Sequence, residues 1–154
     1  VVDCSAEVAA DKGFILTKEF LLEWEKSHGR IPAGSWVFLR SDWRRVADPD
    51  NNINMQEDGA HSPGPDTDCV LWMVEERDVL GFGTECVGTD AGQAFAMEPQ
   101  YPCHYYMHGN GRLGLQCMTN LDLLPATGAV VVSPPLKIID GSGSPLRVIA
   151  LVPR

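Results

Sequence analysis

Apolar residues in the first third of the chain recur first at helical spacing and then as a continuous run. Behind Thr17, which can cap a helix, the apolar positions fall on one helical face. Gly29 ends that pattern. The run from Ser35 to Arg40 follows a Pro-Ala-Gly turn and is typical of a buried strand. This third of the chain therefore predicts a helix followed by a core strand.

The middle of the chain loses its apolar signal and then regains it. Residues 47–65 are rich in Asp, Asn, Gly and Pro and predict a long loop, which in a compact domain tends to be functional or mobile. Apolar residues return at helical spacing from Asp66 to Arg77, and Val79–Gly83 predicts a short core strand. The order strand, helix, strand indicates a βαβ crossover.

The last third predicts a hairpin. Ala129–Ile139 and Leu146–Val152 are apolar and predict strands, and Asp140–Pro145 between them has the composition of a tight reversal. Pro134 and Pro135 require an edge position or a bulge in the first strand. The whole pattern predicts a single α/β domain over residues 1–154, with a mixed sheet and a C-terminal antiparallel hairpin.

Composition and charge narrow the classes of function. The chain has 154 residues, 44% of them hydrophobic, which is enough for one globular domain. Neither a membrane span nor a signal peptide is visible, so we expect no membrane partner. The net charge of −9 and the scattered basic residues argue against nucleic acid, and the cluster Arg40, Arg44 and Arg45 is interpreted as a solvated edge. Because the chain opens on Val1 in a strand-like segment, we expect an incomplete protein.

The cysteines indicate a reducing compartment. All five lie far apart, their number is odd, and no Cys-x-x-Cys pair occurs, so we expect a cytoplasmic protein. Cys69 lies in an apolar run and is expected to be buried. Cys103 precedes His104, but its aromatic surroundings favour packing over a role as a nucleophile.

Two well-known signatures do not support a function here. Gly109–Gly114 matches the dinucleotide fingerprint G-x-G-x-x-G, but it follows no convincing strand, and no acidic residue ends a second strand about 20 positions later. The nucleophile elbow G-x-S-x-G is missing, which argues against a serine hydrolase.

The four histidines are the remaining candidates for chemistry. His28 ends the first helix, where an imidazole stabilises the helix dipole, and His61 lies in a turn-rich loop. His104 and His108 are four residues apart and would share a face if their segment were helical, which is one way to bind a metal. The glycines that follow His108 discourage a long helix, and two histidines alone do not complete a metal site.

Six motifs, in unbroken order from about Val2 to Pro153, resemble the cyclase family, which includes kynurenine formamidase and isatin hydrolase. The motifs are Ile31–Val37, Gly59–Gly64, Gly81–Asp90, Pro102–His104 with Gly114–Gln116, Thr119–Pro125, and Pro135–Ile138 with Gly141–Pro145. The resemblance implies a swivelling β/β/α fold, truncated at its N-terminus. It also implies a hydrolase that opens amides or cyclic amides with a metal-activated water.

The resemblance also implies roles for individual residues. His104 matches a metal ligand of two-metal members, and Gln116 stands where those members have a glutamate, so one Zn or Mn ion is expected rather than two. His61 and His108 are the expected catalytic residues: His61 is expected to face the pocket, and His108 to act as a proton shuttle or added ligand. Asp90, like Glu85, is interpreted as a structural hydrogen-bonding residue. The family's main ligands, in H-x-G-T-H-x-D-x-P, are absent from this sequence.

These expectations combine into one leading hypothesis and two alternatives. The leading hypothesis is the C-terminal part of a metal-dependent hydrolase of a small amide, lactam or related carbonyl compound, inactive until the missing motif is supplied. The first alternative is a non-catalytic truncated domain, without metal, that persists as a homo-oligomer or binding module because exposed sheet edges favour self-association. The second is a complete site made with another chain.

Overall fold

The computed structural model describes residues 1–153, and a four-stranded parallel sheet forms its centre. The strands are β1 (Val2–Asp3), β2 (Ile15–Leu16), β3 (Trp36–Arg40), β4 (Gly64–Pro65), β5 (Gly81–Thr84), β6 (Leu113–Leu115), β7 (Val130–Val132) and β8 (Ile149–Leu151). The α-helices are α1 (Ser5–Ala10), α2 (Lys18–His28), α3 (Trp43–Val46) and α4 (Thr67–Glu75). Within residues 1–153, no helix is both long and apolar enough to cross a membrane.

The central sheet has the strand order β1–β3–β5–β6, with every neighbouring pair parallel. β2 pairs with β4 in a short parallel sheet, and β7 pairs with β8 in an antiparallel one. Buried side chains of the helices and of the central sheet form one apolar core, in which Leu21, Met73 and Phe82 are completely buried. The α/β fold with a C-terminal hairpin is therefore as predicted.

Both predicted helices are confirmed, and so is the cap predicted at Thr17; Asp66, predicted as the first residue of the second helix, is its cap. The Thr17 hydroxyl accepts a hydrogen bond from the Phe20 amide at 3.2 Å and starts α2. Gly29 ends that helix with a φ of +85°, a conformation that glycine adopts without steric cost. The Asp66 carboxylate accepts from the Cys69 amide at 2.7 Å and starts α4.

The predicted βαβ crossover is confirmed and places the carboxyl ends of β3 and β5 side by side. β3 leads through α4 into β5, and the two strands pair in parallel register. β5 begins two residues later than predicted because the Val79 amide still bonds to the Met73 carbonyl at the end of α4. A Cβ atom at Gly81 would lie 2.4 Å from the Leu113 carbonyl oxygen, so glycine permits the close pairing of β5 with β6.

The C-terminal hairpin is present, but its strands are shorter than the sequence pattern suggested. β7 pairs Val130–Val132 with Ile149–Leu151 of β8. Pro134 and Pro135 have no amide hydrogen to donate, so pairing stops before them. The hairpin forms its own two-stranded sheet beside the parallel one.

The arginine cluster predicted as a solvated edge is held by carboxylates. Arg40 donates two hydrogen bonds to Asp42, from Nε at 2.9 Å and from a terminal nitrogen at 3.2 Å. Arg45 donates to Asp42 at 2.7 Å and to Asp122 at 2.9 Å. The hydrogen bond from Arg40, aided by Arg45, lowers the pKa of Asp42 below its usual value.

Replacing Asp42 by asparagine is expected to lower the free energy of unfolding by about 1 kcal/mol at neutral pH, because two charge-assisted pairs lose their anion. Asparagine tolerates the left-handed φ of +49° at this position, so the backbone stays unstrained. A carboxylate whose pKa is lower in the folded than in the unfolded protein stabilises the fold fully at pH values above its unfolded pKa. This stabilisation is lost as the pH falls through the folded pKa.

Urea unfolding should therefore show a constant difference between wild type and Asp42→Asn from pH 7 to about pH 5, and a shrinking difference below about pH 4. A difference that persists unchanged at acid pH would show that the effect of the substitution is not electrostatic.

Candidate active-site wall

The predicted site residues lie at the carboxyl edge of the parallel sheet, where the chain leaves β5 and β6. This edge is where ligands bind in open α/β sheets. The segment from Glu85 to Ala91 follows β5, and Gln116 follows β6 directly. The Gln116 side-chain oxygen accepts a hydrogen bond from the Gly88 amide at 2.5 Å and ties the two strand ends together.

Asp90 is a buried carboxylate at the centre of this edge, with a side chain only 5% exposed. One oxygen accepts a hydrogen bond from the Cys103 amide at 2.6 Å, and the other accepts from Nδ1 of His104. Because a carboxylate only accepts hydrogen bonds, Nδ1 carries a proton, and in the neutral form of the imidazole Nε2 keeps its lone pair. The His104 side chain is 64% exposed, so Asp90 orients an imidazole whose basic nitrogen is accessible.

A wide helical turn presents the two predicted histidines together. Cys103–Met107 form one π-helical turn and His108–Asn110 a 3₁₀ turn, so the segment is helical although glycines follow it. The His104 and His108 rings meet edge to face, with centroids 5.2 Å apart. The Tyr101 ring lies on the other side of His104 at 6.4 Å. π-Helical turns are frequent at functional sites because they re-aim side chains.

His108 uses both ring nitrogens within the fold. Its Nδ1 lies 3.1 Å from the Arg112 carbonyl oxygen, which only accepts, so Nδ1 carries the proton. Its Nε2 then accepts from the Thr89 hydroxyl at 3.0 Å. The role of His108 as a proton shuttle or ligand stays a prediction, and it requires Thr89 to release Nε2.

His61 lies on a loop that packs against the backbone beyond Asp90. A Cβ atom at Gly92 would lie 2.6 Å from the His61 amide nitrogen, so glycine permits this contact. Nε2 of His61 is 2.9 Å from the Asp58 carboxylate. Within residues 1–153, His61 makes no hydrogen bond to His104, and its predicted place in the pocket stays a prediction.

The donor groups at this edge could supply some of the ligands of a divalent cation, but not a complete set. His104 offers one imidazole nitrogen, and the Gln116 oxygen keeps one lone pair beyond its bond to Gly88. No group of three His, Cys, Asp or Glu residues suited to a metal occurs in the described part of the chain. Other ligands would have to come from outside residues 1–153.

Asp90 has a role in the site that the sequence does not predict. Asp90 and Glu85 are both predicted to be structural hydrogen-bonding residues, and Glu85 is one, since its carboxylate accepts from the Ser41 amide at 2.8 Å and the Ser41 hydroxyl at 3.1 Å. Asp90 makes such a bond to the Cys103 amide and, in addition, orients His104. The available signal was an acidic residue in the loop at the carboxyl end of a core strand.

The cysteines follow the packing interpretation. Cys69 and Cys103 are completely buried, and burial raises the pKa of both thiols well above the usual range. The nearby charge of Asp90 raises the pKa of Cys103 further. A neutral, buried thiol is a poor nucleophile, so Cys103 is a packing residue beside His104.

Cys117, next to Gln116, is the one exposed thiol among the five cysteines, all of which lie in residues 1–153. We expect a disulfide reagent at pH 8 to modify one thiol of the folded protein rapidly and all five after denaturation, because only Cys117 is accessible. Thiol release followed by absorbance measures this, and Cys117→Ser should remove the rapid phase. A rapid phase that survives in Cys117→Ser would show that one of the buried thiols is accessible.

Comparisons with known proteins agree on one family. The sequence model of the family described as putative cyclase matches residues 1–91. An isatin hydrolase of Roseibium aggregatum is 47% identical over 155 residues, which cover 100% of this chain and 59% of that protein.

Two solved structures are similarly close. Isatin hydrolase A from Ralstonia solanacearum is 53% identical with a TM-score of 0.94, covering 99% of this chain and 59% of its own. An isatin hydrolase bound to the product analogue thioisatinate is 47% identical with a TM-score of 0.94, covering 99% of this chain and 58% of its own. This chain therefore spans about three fifths of the length of the relatives it matches.

Proposed function

Because this chain belongs to the putative cyclase family, we propose that it forms one wall of the active site of a hydrolase that opens a cyclic amide. The observation that carries the proposal is the Asp90–His104 pair, with Nε2 of His104 accessible at the carboxyl edge of the sheet. The similarity to isatin hydrolases supports a hydrolase, and it supports a lactam as the substrate class.

In this proposal the chain's own residues hold and aim one imidazole. Asp90 fixes the His104 tautomer and ring orientation, as outer-shell carboxylates do for histidine ligands. Gln116 holds the loop after β5 in place, because its side-chain oxygen accepts the Gly88 amide hydrogen. A neutral amide supplies no charge, which favours one cation over two.

His104 and Gln116 are the residues of this chain proposed as ligands of a divalent metal, Zn or Mn. When bound, such a metal polarises the carbonyl and lowers the pKa of a water. The remaining ligands are proposed to lie on the part of the family fold that this chain does not span. Hydrolysis adds one water across the lactam C–N bond, so the ring opens to a carboxylate and an amine.

The proposal is tested with the chain co-expressed with the complementary segment, defined as the part of the Roseibium aggregatum isatin hydrolase outside its match to this chain. The purified complex should open isatin, followed by loss of its absorbance, and should turn over an N-formyl arylamine of similar size more slowly. A complex that opens neither compound would overturn the proposed function. Elemental analysis should find one zinc or manganese per complex.

A non-catalytic domain is the second candidate, and the incomplete donor set favours it for this chain by itself. If the domain is non-catalytic, its complex with the complementary segment should bind no metal and hydrolyse neither compound. The same co-expression experiment separates the two candidates.

A further inference from the structure

The hairpin carries apolar side chains on the face that points away from the protein. Val130 and Leu151 lie opposite each other and are 60% and 59% exposed, and Val132 and Ile149 form the next pair at 44% and 51%. These four residues are the hairpin face. The opposite side of the hairpin, through Val131, packs on the buried cluster around Phe38, Leu115, Met118 and Leu121. Both sides of this two-stranded sheet are therefore apolar.

A hairpin with one face in water normally alternates apolar and polar residues. Here the apolar surface continues along the connection between the strands. The exposed side chains are Leu136, Ile138 and Ile139 on the connection, and Val152 just after β8. The only charged residues between Leu123 and Pro153 are Lys137, Asp140 and Arg147. A contiguous apolar surface of this kind marks an interaction site.

An apolar cavity of about 520 Å³ opens beside the hairpin, and its lining includes Trp36, Leu80, Leu124, Val130 and Val131. Within residues 1–153, no further strand pairs with either outer edge of β7–β8. Free strand edges offer backbone donors and acceptors that a polypeptide can pair with and a small apolar molecule cannot. The cavity has room for apolar side chains of such a polypeptide.

We propose that the hairpin face and this cavity are covered by the complementary segment of the cyclase fold. The isatin hydrolases match 99% of this chain at a TM-score of 0.94, while the match covers 58–59% of their length. The hairpin thus keeps its conformation within longer chains, whose remaining two fifths or so lie outside the match. A second copy of this chain is the competing occupant, but it would add no part of the fold that the relatives have and this chain lacks.

The test measures binding and does not depend on hydrolysis. The affinity-tagged chain is co-expressed with the complementary segment, and the molar mass of the eluted species is measured by light scattering after gel filtration. Val130→Lys with Ile149→Lys places two charges on the hairpin face without touching the core. Leu22→Lys with Met55→Lys is the matched control, since both residues are exposed, at 37% and 51%, and lie on α2 and on the loop before β4.

Wild type and the Leu22→Lys, Met55→Lys variant should elute as a one-to-one complex with the segment. The Val130→Lys, Ile149→Lys variant should retain at least tenfold less segment, while an unchanged far-ultraviolet circular dichroism spectrum shows that it is folded. Absence of a complex with wild type, or equal retention by the Val130→Lys, Ile149→Lys variant, overturns the proposal. A wild-type homodimer that these two substitutions dissociate also overturns it, in favour of the second copy. A complex that forms but does not hydrolyse isatin leaves this inference standing and contradicts only the proposed function.

Discussion

Replacing His104 by alanine is expected to reduce isatin hydrolysis by the chain and the complementary segment together by about 10³-fold. Nε2 of His104 is the accessible basic nitrogen that Asp90 orients, and positioned acid–base or ligand groups contribute factors of about 10²–10⁴. The binding of the complementary segment should be unchanged, because the His104 side chain is largely exposed and is not part of the hairpin face. The measurement is kcat/KM from the absorbance of isatin.

Asp90→Asn should reduce kcat/KM less, by about 10- to 100-fold, because the His104 ring stays in place but its tautomer is no longer fixed. Lys26→Ala is the control. It removes a side chain of α2 that is 71% exposed and pairs only with the exposed Glu23, and it should leave kcat/KM unchanged. Equal kcat/KM for His104→Ala and Lys26→Ala would exclude the assigned role.

Replacing Arg77 by methionine is expected to lower the free energy of unfolding by about 2–3 kcal/mol. Arg77 donates two hydrogen bonds of 2.8 Å to Glu25, and their side chains are 7% and 11% exposed. Its guanidinium also lies 4.0 Å above the Trp72 ring. Methionine fills similar volume but leaves the half-buried Glu25 carboxylate without its guanidinium partner. Urea unfolding at pH 7 measures the change.

Two controls separate charge from packing. Glu25→Gln in the Arg77→Met background should recover part of the loss, because the orphaned charge is removed while the hydrogen bond to the Ile31 amide can persist. Lys26→Met breaks an exposed pair with Glu23 and should cost less than about 1 kcal/mol. If Arg77→Met and Lys26→Met have the same effect, the buried pair does not stabilise the fold.

Local signals explain why the helices could be predicted. Thr17 and Asp66 are capping residues followed by apolar residues at helical spacing, and both act as caps in the structure. The βαβ crossover follows from the order of elements alone. The ends of the hairpin strands depend instead on pairing partners, which a periodic pattern does not reveal.

The candidate site was predictable only in part, because its geometry is tertiary. His104 and Gln116 could be singled out by their resemblance to the cyclase family, and the loop after β5 by its place behind a core strand. The contact between Asp90 and His104 joins residues 14 positions apart through a π-helical turn that no local propensity encodes. The bond from Gly88 to Gln116 spans 28 positions and depends on the pairing of β5 with β6.

The most direct test is the rate of isatin opening by this chain alone, by the complementary segment alone and by the two together, each with wild-type chain and with His104→Ala. We expect hydrolysis only by the two together, and its loss on His104→Ala. Hydrolysis by the complementary segment alone, or equal hydrolysis with His104→Ala, would contradict the claim that this chain forms a wall of the active site.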